Sequence, residues 1–330
     1  MKYANLQLLR AFAAINVVLF HAIGTANGYD RPAKFFAPLQ GWGANGVDIF
    51  FVISGFVMAQ MALHKNLIPL EFLCNRLKRI CPTYYVLTLV MLLVNFFLPQ
   101  LMRHQTISPM HYISAVFFAS QAITGNMPPI FVGWTLEYEM LFYVAFAAAL
   151  FIGNTKYALI TVLGMLVTIA ASGQCKILVL EFGFGIVVAM FTKANMAIDH
   201  QRLGKTFALI GTILLALTIP FKPTEGNQLA ALLAYGFPSA LLVYGLVNMP
   251  QAKTRVWEFL GDASYSIYLI QTLALLACFK AVGFLSRFLD LPNDLWIVLS
   301  VILTVILGLI LYYVIESPAR RYFLKPMPKL

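Results

Sequence analysis

The sequence predicts an all-α, polytopic integral membrane protein of about ten transmembrane helices, with both termini cytoplasmic. Three observations predict it. First, 61% of the 330 residues are hydrophobic and 11% are charged, and the mean hydropathy is +0.81. Soluble domains are about 45–50% apolar and roughly 25% charged, so the chain is neither a water-soluble globule nor disordered. Second, the apolar residues fall into ten segments, and a span needs about 20 residues, so little is left for a soluble domain. Residues 1–330 therefore read as a single transmembrane domain. Third, the basic residues are distributed unevenly between alternate loops.

The segments lie near residues 5–26, 45–63, 83–101, 133–152, 156–172, 177–192, 206–220, 228–247, 264–285 and 294–315. The first contains AFAAINVVLF, residues 11–20, which resembles the centre of a signal peptide. Arg10 before it, His21 after it and the next apolar segment near Val47 favour a retained anchor. Residues 109–124 are weakly amphipathic and read as a short surface or re-entrant helix bearing Gln121. No repeat or low-complexity tract interrupts the pattern.

With the N-terminus inside, the inner loops receive Lys2, Lys65, Arg76, Lys78, Arg79, Lys156, Lys193, Arg202, Lys205, Lys253, Arg255, Arg320, Arg321, Lys325 and Lys329. The outer loops receive Arg31, Lys34, Arg103, Lys176, Lys222 and Arg287. Fifteen against six is the bias expected of cytoplasmic loops. It also accounts for the net charge of +10 without nucleic acid, since no basic run is interleaved with exposed aromatics. Trp42, Trp134 and Trp296 fall near outer boundaries and Trp257 near an inner one, as in an interfacial belt. Cys74, Cys81, Cys175 and Cys278 form no CxxC pair and no zinc-ligand spacing, so neither a disulfide nor a metal is expected.

Ionisable groups inside spans are costly and normally face the protein interior or a water-filled cavity. Arg10, His21, Asp48 and Glu139 stand out. At about 1.5 Å per residue, His21, Asp48 and Glu139 all fall in the outer third of the bilayer. A neutral imidazole beside carboxylates suits general-base chemistry, with Glu139 or Asp48 orienting the ring. Glu137 and Glu139 are about 200° apart around a helix, so they cannot share a cavity, and Glu139 is the deeper. Arg10 and His21 are eleven residues apart, about three turns, on one face and roughly 16 Å apart along the axis. A substrate lying through the protein with its anionic end inside fits that spacing. The inner loop FLCNRLKRICPTYY, residues 72–85, carries Arg76 and Arg79 at i, i+3. Guanidinium forks there suit phosphate oxygens.

Together these motifs resemble the acyltransferase family 3 membrane proteins, the bacterial transmembrane O-acyltransferases of surface polysaccharides. LLRAFAAINVVLFHA, residues 8–22, resembles the family's Arg, ten residues, His signature through Arg10 and His21. GVDIFFVISGFVM, residues 46–58, contains Asp48, and NRLKRICPTYY, residues 75–85, supplies an Arg-x-x-Arg pair. GWTLEYEMLFY, residues 133–143, puts the family's glutamate at Glu139. FLGDASYSIYLIQ, residues 259–271, and IESPARRYF, residues 315–323, resemble its later motifs. Gln271 stands where relatives often have His.

The resemblance implies transfer of an acyl group, commonly acetyl, from cytoplasmic acyl-coenzyme A to a hydroxyl of an extracytoplasmic or lipid-linked glycan at the bacterial inner membrane. Arg76, Arg79 and Arg10 would meet the nucleotide phosphates. His21 would act as base or as acyl-accepting nucleophile, without a metal, beside Glu139 or Asp48. Two other classes share the composition: a membrane carrier, and a non-catalytic subunit of a polysaccharide assembly or export system. No inverted repeat supports the carrier.

Overall fold

The structure is a computed structural model that describes residues 3–101, 108–194, 200–221, 227–252, 255–286, 288–289 and 291–323. Among them there is no β-strand. The helices are α1 (Ala4–Gly28), α2 (Asn45–His64), α3 (Pro69–Phe97), α4 (Pro109–Val116), α5 (Ser120–Thr124), α6 (Trp134–Leu150), α7 (Thr155–Ala171) and α8 (Leu180–Ala194). They continue with α9 (His200–Phe221), α10 (Gln228–Ala231), α11 (Phe237–Asn248), α12 (Arg255–Asp262), α13 (Ser264–Leu285), α14 (Asn293–Leu311) and α15 (Ser317–Phe323). One-turn π-helices at Leu232–Gly236 and Tyr312–Glu316 join α10 to α11 and α14 to α15.

Seven helical stretches among the described residues are long and apolar enough to cross a membrane. They begin at Ala4, Trp42, Pro69, Gln201, Gln228, Ser264 and Asn293. The segments expected near 133–152, 156–172 and 177–192 are helices α6, α7 and α8, of 17, 17 and 15 residues. Lys2, Arg103, Lys222, Lys253, Arg287, Lys325 and Lys329 of the charge count lie outside the described residues.

Two expectations are corrected. Residues 72–85, read as a loop, are the first half of α3. Pro69 opens that helix at its first position, Glu71 sits in its first turn, and its Leu, Arg and Lys residues are strong helix formers. Pro82 removes one helical hydrogen bond, which membrane helices tolerate where neighbouring groups compensate. Residues 109–124 form two short helices, broken where Phe118 takes a φ of 54°. Trp296 is buried within the protein.

The chain divides into two compact units. The first comprises Met1–Phe20, Pro38–Phe72 and Phe142–Asp262. Its centre is the α2–α8 pair, where Gly55 lies against the Phe182 backbone and Gly185 against that of Val52 and Phe56. Without side chains at these two positions the helices approach closely, the usual device where lipid is as apolar as the core. Phe51 and Phe142 stack on Phe182, with ring centroids 4.4 Å away in each case. The start of α1 is held by Asn5, whose amide donates to the Leu246 and Pro250 carbonyls at 2.9 and 3.1 Å and accepts from Ala252 N–H at 2.9 Å. Deeper in α1, Asn16 donates to Asn45 at 2.9 Å, a buried bond to the first residue of α2.

The second unit comprises His21–Ala37, Leu73–Leu141 and Ala263–Leu330. Helix α13 packs on α14 where Gly308 meets Ile267. At the start of α14, Asp294 accepts the backbone N–H groups of Lys34, Phe35 and Phe36, each at 3.1 Å. That carboxylate fixes the stretch leading away from α1.

Gly55→Ala places a methyl against a backbone carbonyl that cannot give way. Overpacking of this kind costs about 1–3 kcal/mol, so the purified protein should melt several degrees lower. Gly164→Ala is the matched control: a Cβ there meets nothing within 4 Å, and its melting temperature should be unchanged or slightly higher.

Candidate functional site

In α13, four polar side chains between Tyr265 and Gln271 each reach a different part of the second unit. The Tyr265 hydroxyl donates to the Ile80 carbonyl of α3 at 2.8 Å. The Ser266 hydroxyl donates to Glu316 at 2.6 Å, and the same carboxylate pairs with Arg320 at 3.5 Å. The Tyr268 hydroxyl donates to the Val132 carbonyl at 3.0 Å and lies 3.0 Å from the Thr135 hydroxyl, which pins the start of α6. Gln271 is fully buried, with its Oε1 2.9 Å from His21 Nδ1 of α1 and its Nε2 donating to the Tyr268 carbonyl at 2.7 Å.

The His21 ring is half-buried, and its edge packs on Phe131 with centroids 4.8 Å apart at 78°. Phe131 lies three residues before α6, the helix that carries Glu139. Glu139 is half-buried, and its charge acts on the phenols of Tyr265 and Tyr268. Glu137 has a different task. Its buried carboxylate accepts from Ser120 N–H at 2.8 Å and from Gln121 N–H and side-chain amide at 3.1 and 3.3 Å. It caps α5, which is the division of labour expected of two residues on opposite helix faces.

Arg76 and Arg79 also lie in the second unit, half-buried and one turn apart near the start of α3. The Tyr265–Ile80 bond anchors that stretch of α3 to α13. Arg10 and Asp48 belong to the first unit. Arg10 is half-buried on α1. Asp48 is buried in the first turn of α2, with its carboxyl beside that of the fully buried Glu181 of α8. Among the described residues no group of three or more His, Cys, Asp or Glu could hold a metal ion, and all four cysteines are free thiols.

Two further residues join these arrangements. Gln271, a lone amide three residues after Tyr268 in an apolar helix, needs a partner, and its Oε1 lies beside His21 Nδ1. Glu181, a carboxylate in the apolar run ILVLEFGFGIVVAM, carries the same signal as Asp48.

A family profile described as "Acyltransferase domain" matches residues 3–313, nearly the whole chain. The chain belongs to this family. It is therefore an acyl-transferring enzyme and, with seven helices among the described residues long and apolar enough to cross a membrane, a multi-pass membrane protein. The carrier and the non-catalytic subunit fall away. The chain is 33% identical to the exopolysaccharide production protein ExoZ of Rhizobium meliloti (strain 1021), across 84% of this chain and 90% of that one. It is 24% identical to YrhL of Bacillus subtilis (strain 168), across 94% of this chain and 54% of YrhL. It is 28% identical to the O-acetyltransferase OatA of Staphylococcus aureus (strain NCTC 8325 / PS 47), across 42% of this chain and 23% of OatA. No solved structure matches the chain.

The contrast between the two glutamates is measurable. Glu137→Ala leaves the buried Ser120 N–H and its neighbour at Gln121 without an acceptor, at about 1–3 kcal/mol for each buried donor. Its thermal midpoint in detergent should fall by several degrees, whereas that of Glu139→Gln should stay within a degree or two of the parent.

Proposed function

We propose that this protein is a membrane O-acyltransferase of the bacterial cytoplasmic membrane, most simply an O-acetyltransferase. It moves the acyl group of cytoplasmic acetyl-coenzyme A to a hydroxyl of an extracytoplasmic or lipid-linked glycan. Residues 1–330 act as one transmembrane acyltransferase domain, with all ten apolar helices crossing the bilayer and both termini inside. The observation that carries this reading is the half-buried His21, tethered by Gln271, in a unit that also holds Glu139, Arg76 and Arg79. Membership of an acyltransferase family supports acyl chemistry at that imidazole. The names of the relatives ExoZ, an exopolysaccharide production protein, and OatA, an O-acetyltransferase, support a glycan acceptor and acetyl as the group moved.

In this mechanism His21 takes the proton of the acceptor hydroxyl as its oxygen attacks the thioester carbonyl carbon. The C–S bond breaks, and the coenzyme A thiolate leaves with the proton that His21 returns. The alternative order, with the imidazole taking the acyl group first, uses the same residue. Glu139 stabilises the positive charge that develops on the ring. Asp48 stands beside Glu181 in the first unit, where the cost of keeping a buried carboxyl supports a functional role of its own. Arg76 and Arg79 present two guanidinium groups one turn apart to the donor's phosphates. The acyl donor and the glycan are the two substrates; neither a metal nor nucleic acid takes part.

His21→Ala should lose about 10²–10⁴-fold of acyl-transfer rate while inserting and folding normally. NMR of the surface glycan should then show its O-acetyl groups gone from cells carrying this variant and present with the parent protein. O-acetylation maintained by His21→Ala would remove the residue from the mechanism. The double variant Arg76→Ala/Arg79→Ala should weaken acetyl-coenzyme A binding at least tenfold, since a charge-assisted hydrogen bond contributes about 1.5–3 kcal/mol. Calorimetry showing unchanged donor affinity would return the pair to a topological role.

A further inference from the structure

We propose that Asp48 and Glu181 share one proton, held on Glu181 and donated to Asp48, and that this proton is a pH-sensitive latch joining α2, α8 and the π-turn at Leu232–Gly236. The latch lies within the first unit and does not depend on the acyl-transfer reading.

Packing puts the two acids together. Asp48 lies one turn before Phe51, and Glu181 directly precedes Phe182, whose ring stacks on that of Phe51. This stack and the Gly55–Phe182 contact fix the two helices with the carboxyls within hydrogen-bond reach of each other. Glu181 is fully buried, and a third element closes on it. Gly236, the last residue of the π-turn, sits so near that a Cβ there would lie 2.8 Å from Glu181 Oε1. The glycine leaves the carboxyl its room, and single π-turns within helices recur at functional positions.

The surroundings offer Glu181 no hydrogen. Neither of its oxygens accepts from a donor among the described residues, and Ser239, buried one turn further along α11, does not reach them. Among the described residues no Lys, Arg or His acts on either acid. The titratable group facing the pair from the π-turn is the Tyr235 phenol, which feels the Asp48 charge and lies by Thr218 of α9. Of the other elements packed on α2 and α8, α7 carries Lys156 and Tyr157 at its far end, and α11 carries Tyr244, whose ring packs on Phe207. Lys176, before α8, is exposed. Two ionised carboxyls in contact in such a place would repel each other and leave Glu181 without a donor. One proton, taken from water as the helices pack, removes both penalties: the acid O–H donates to the carboxylate, and the pair keeps a single charge. Asp48 also has its own backbone N–H as a donor, so the charge rests there and the proton on Glu181. In the unfolded chain both acids stand in water and release that proton at neutral pH. The folded protein then binds one proton more than the unfolded chain, so stability falls as pH rises until the pair itself is deprotonated.

Magic-angle-spinning carbon-13 NMR of the full-length protein in lipid bilayers, with both carboxyl resonances assigned through their backbones, reads the proton without a variant. At neutral pH the Glu181 carboxyl should resonate as an acid and that of Asp48 as a carboxylate. Two carboxylates, or two acids, would overturn the proposal. Glu181→Gln replaces the acid O–H by an amide N–H that donates to Asp48 at every pH. Above neutral pH the thermal midpoint of the parent should fall more steeply than that of the variant, by about 2 °C per pH unit. Parallel pH profiles would overturn the latch, and the NMR result decides alone if the variant does not accumulate.

Discussion

The second unit depends on a constraint at one end of α13: buried polar groups must find partners where water cannot supply them. Four polar side chains within seven residues would leave several unsatisfied donors and acceptors if this helix faced lipid, at a cost of several kcal/mol. Tyr265, Ser266, Tyr268 and Gln271 instead bond to α3, Glu316, the start of α6 and α1. Each bond contributes only about 1 kcal/mol net, but leaving any one unmade is dearer than making it. The helix therefore acts as a distributor of positions. The same turns that hold the basic end of α3 also hold the imidazole of α1.

The first unit is assembled by a different device. Its helices meet through glycines and flat aromatic stacks, with polar contacts confined to a few points such as Asn16–Asn45 and the Asn5 clamp. Close backbone contact supplies dispersion where no hydrophobic gain separates helix from lipid. Asp48 and Glu181 are the exception, two carboxyls side by side in a dry interior. Such groups are expensive to keep there, which is the strongest physical reason to count Asp48 among the functional residues.

The helices and the intramembrane position of the charged residues are legible in the sequence because they rest on local signals. Apolar runs announce helices, and a charge within such a run announces itself against its neighbours. The separation of Glu137 from Glu139 needed only helical geometry, and their different partners follow from it. Partner choice was not legible. Nothing local says that Gln271 meets His21, 250 residues earlier, rather than a carboxylate doing so. The basic stretch at Arg76–Arg79 read as a loop because its charges masked the continuous helical propensity from Pro69 onward.

In the proposed reaction one chain takes an acyl group from a cytoplasmic donor and delivers it to a glycan on the other face. Inverted membrane vesicles containing the protein and its glycan acceptor expose the cytoplasmic face to the medium. With membrane-impermeant radiolabelled acetyl-coenzyme A added outside, label should accumulate on glycan within the lumen, and vesicles carrying His21→Ala should stay unlabelled. Label that reaches the glycan only when the donor is sealed inside the vesicles, or equally with the variant, would contradict the account.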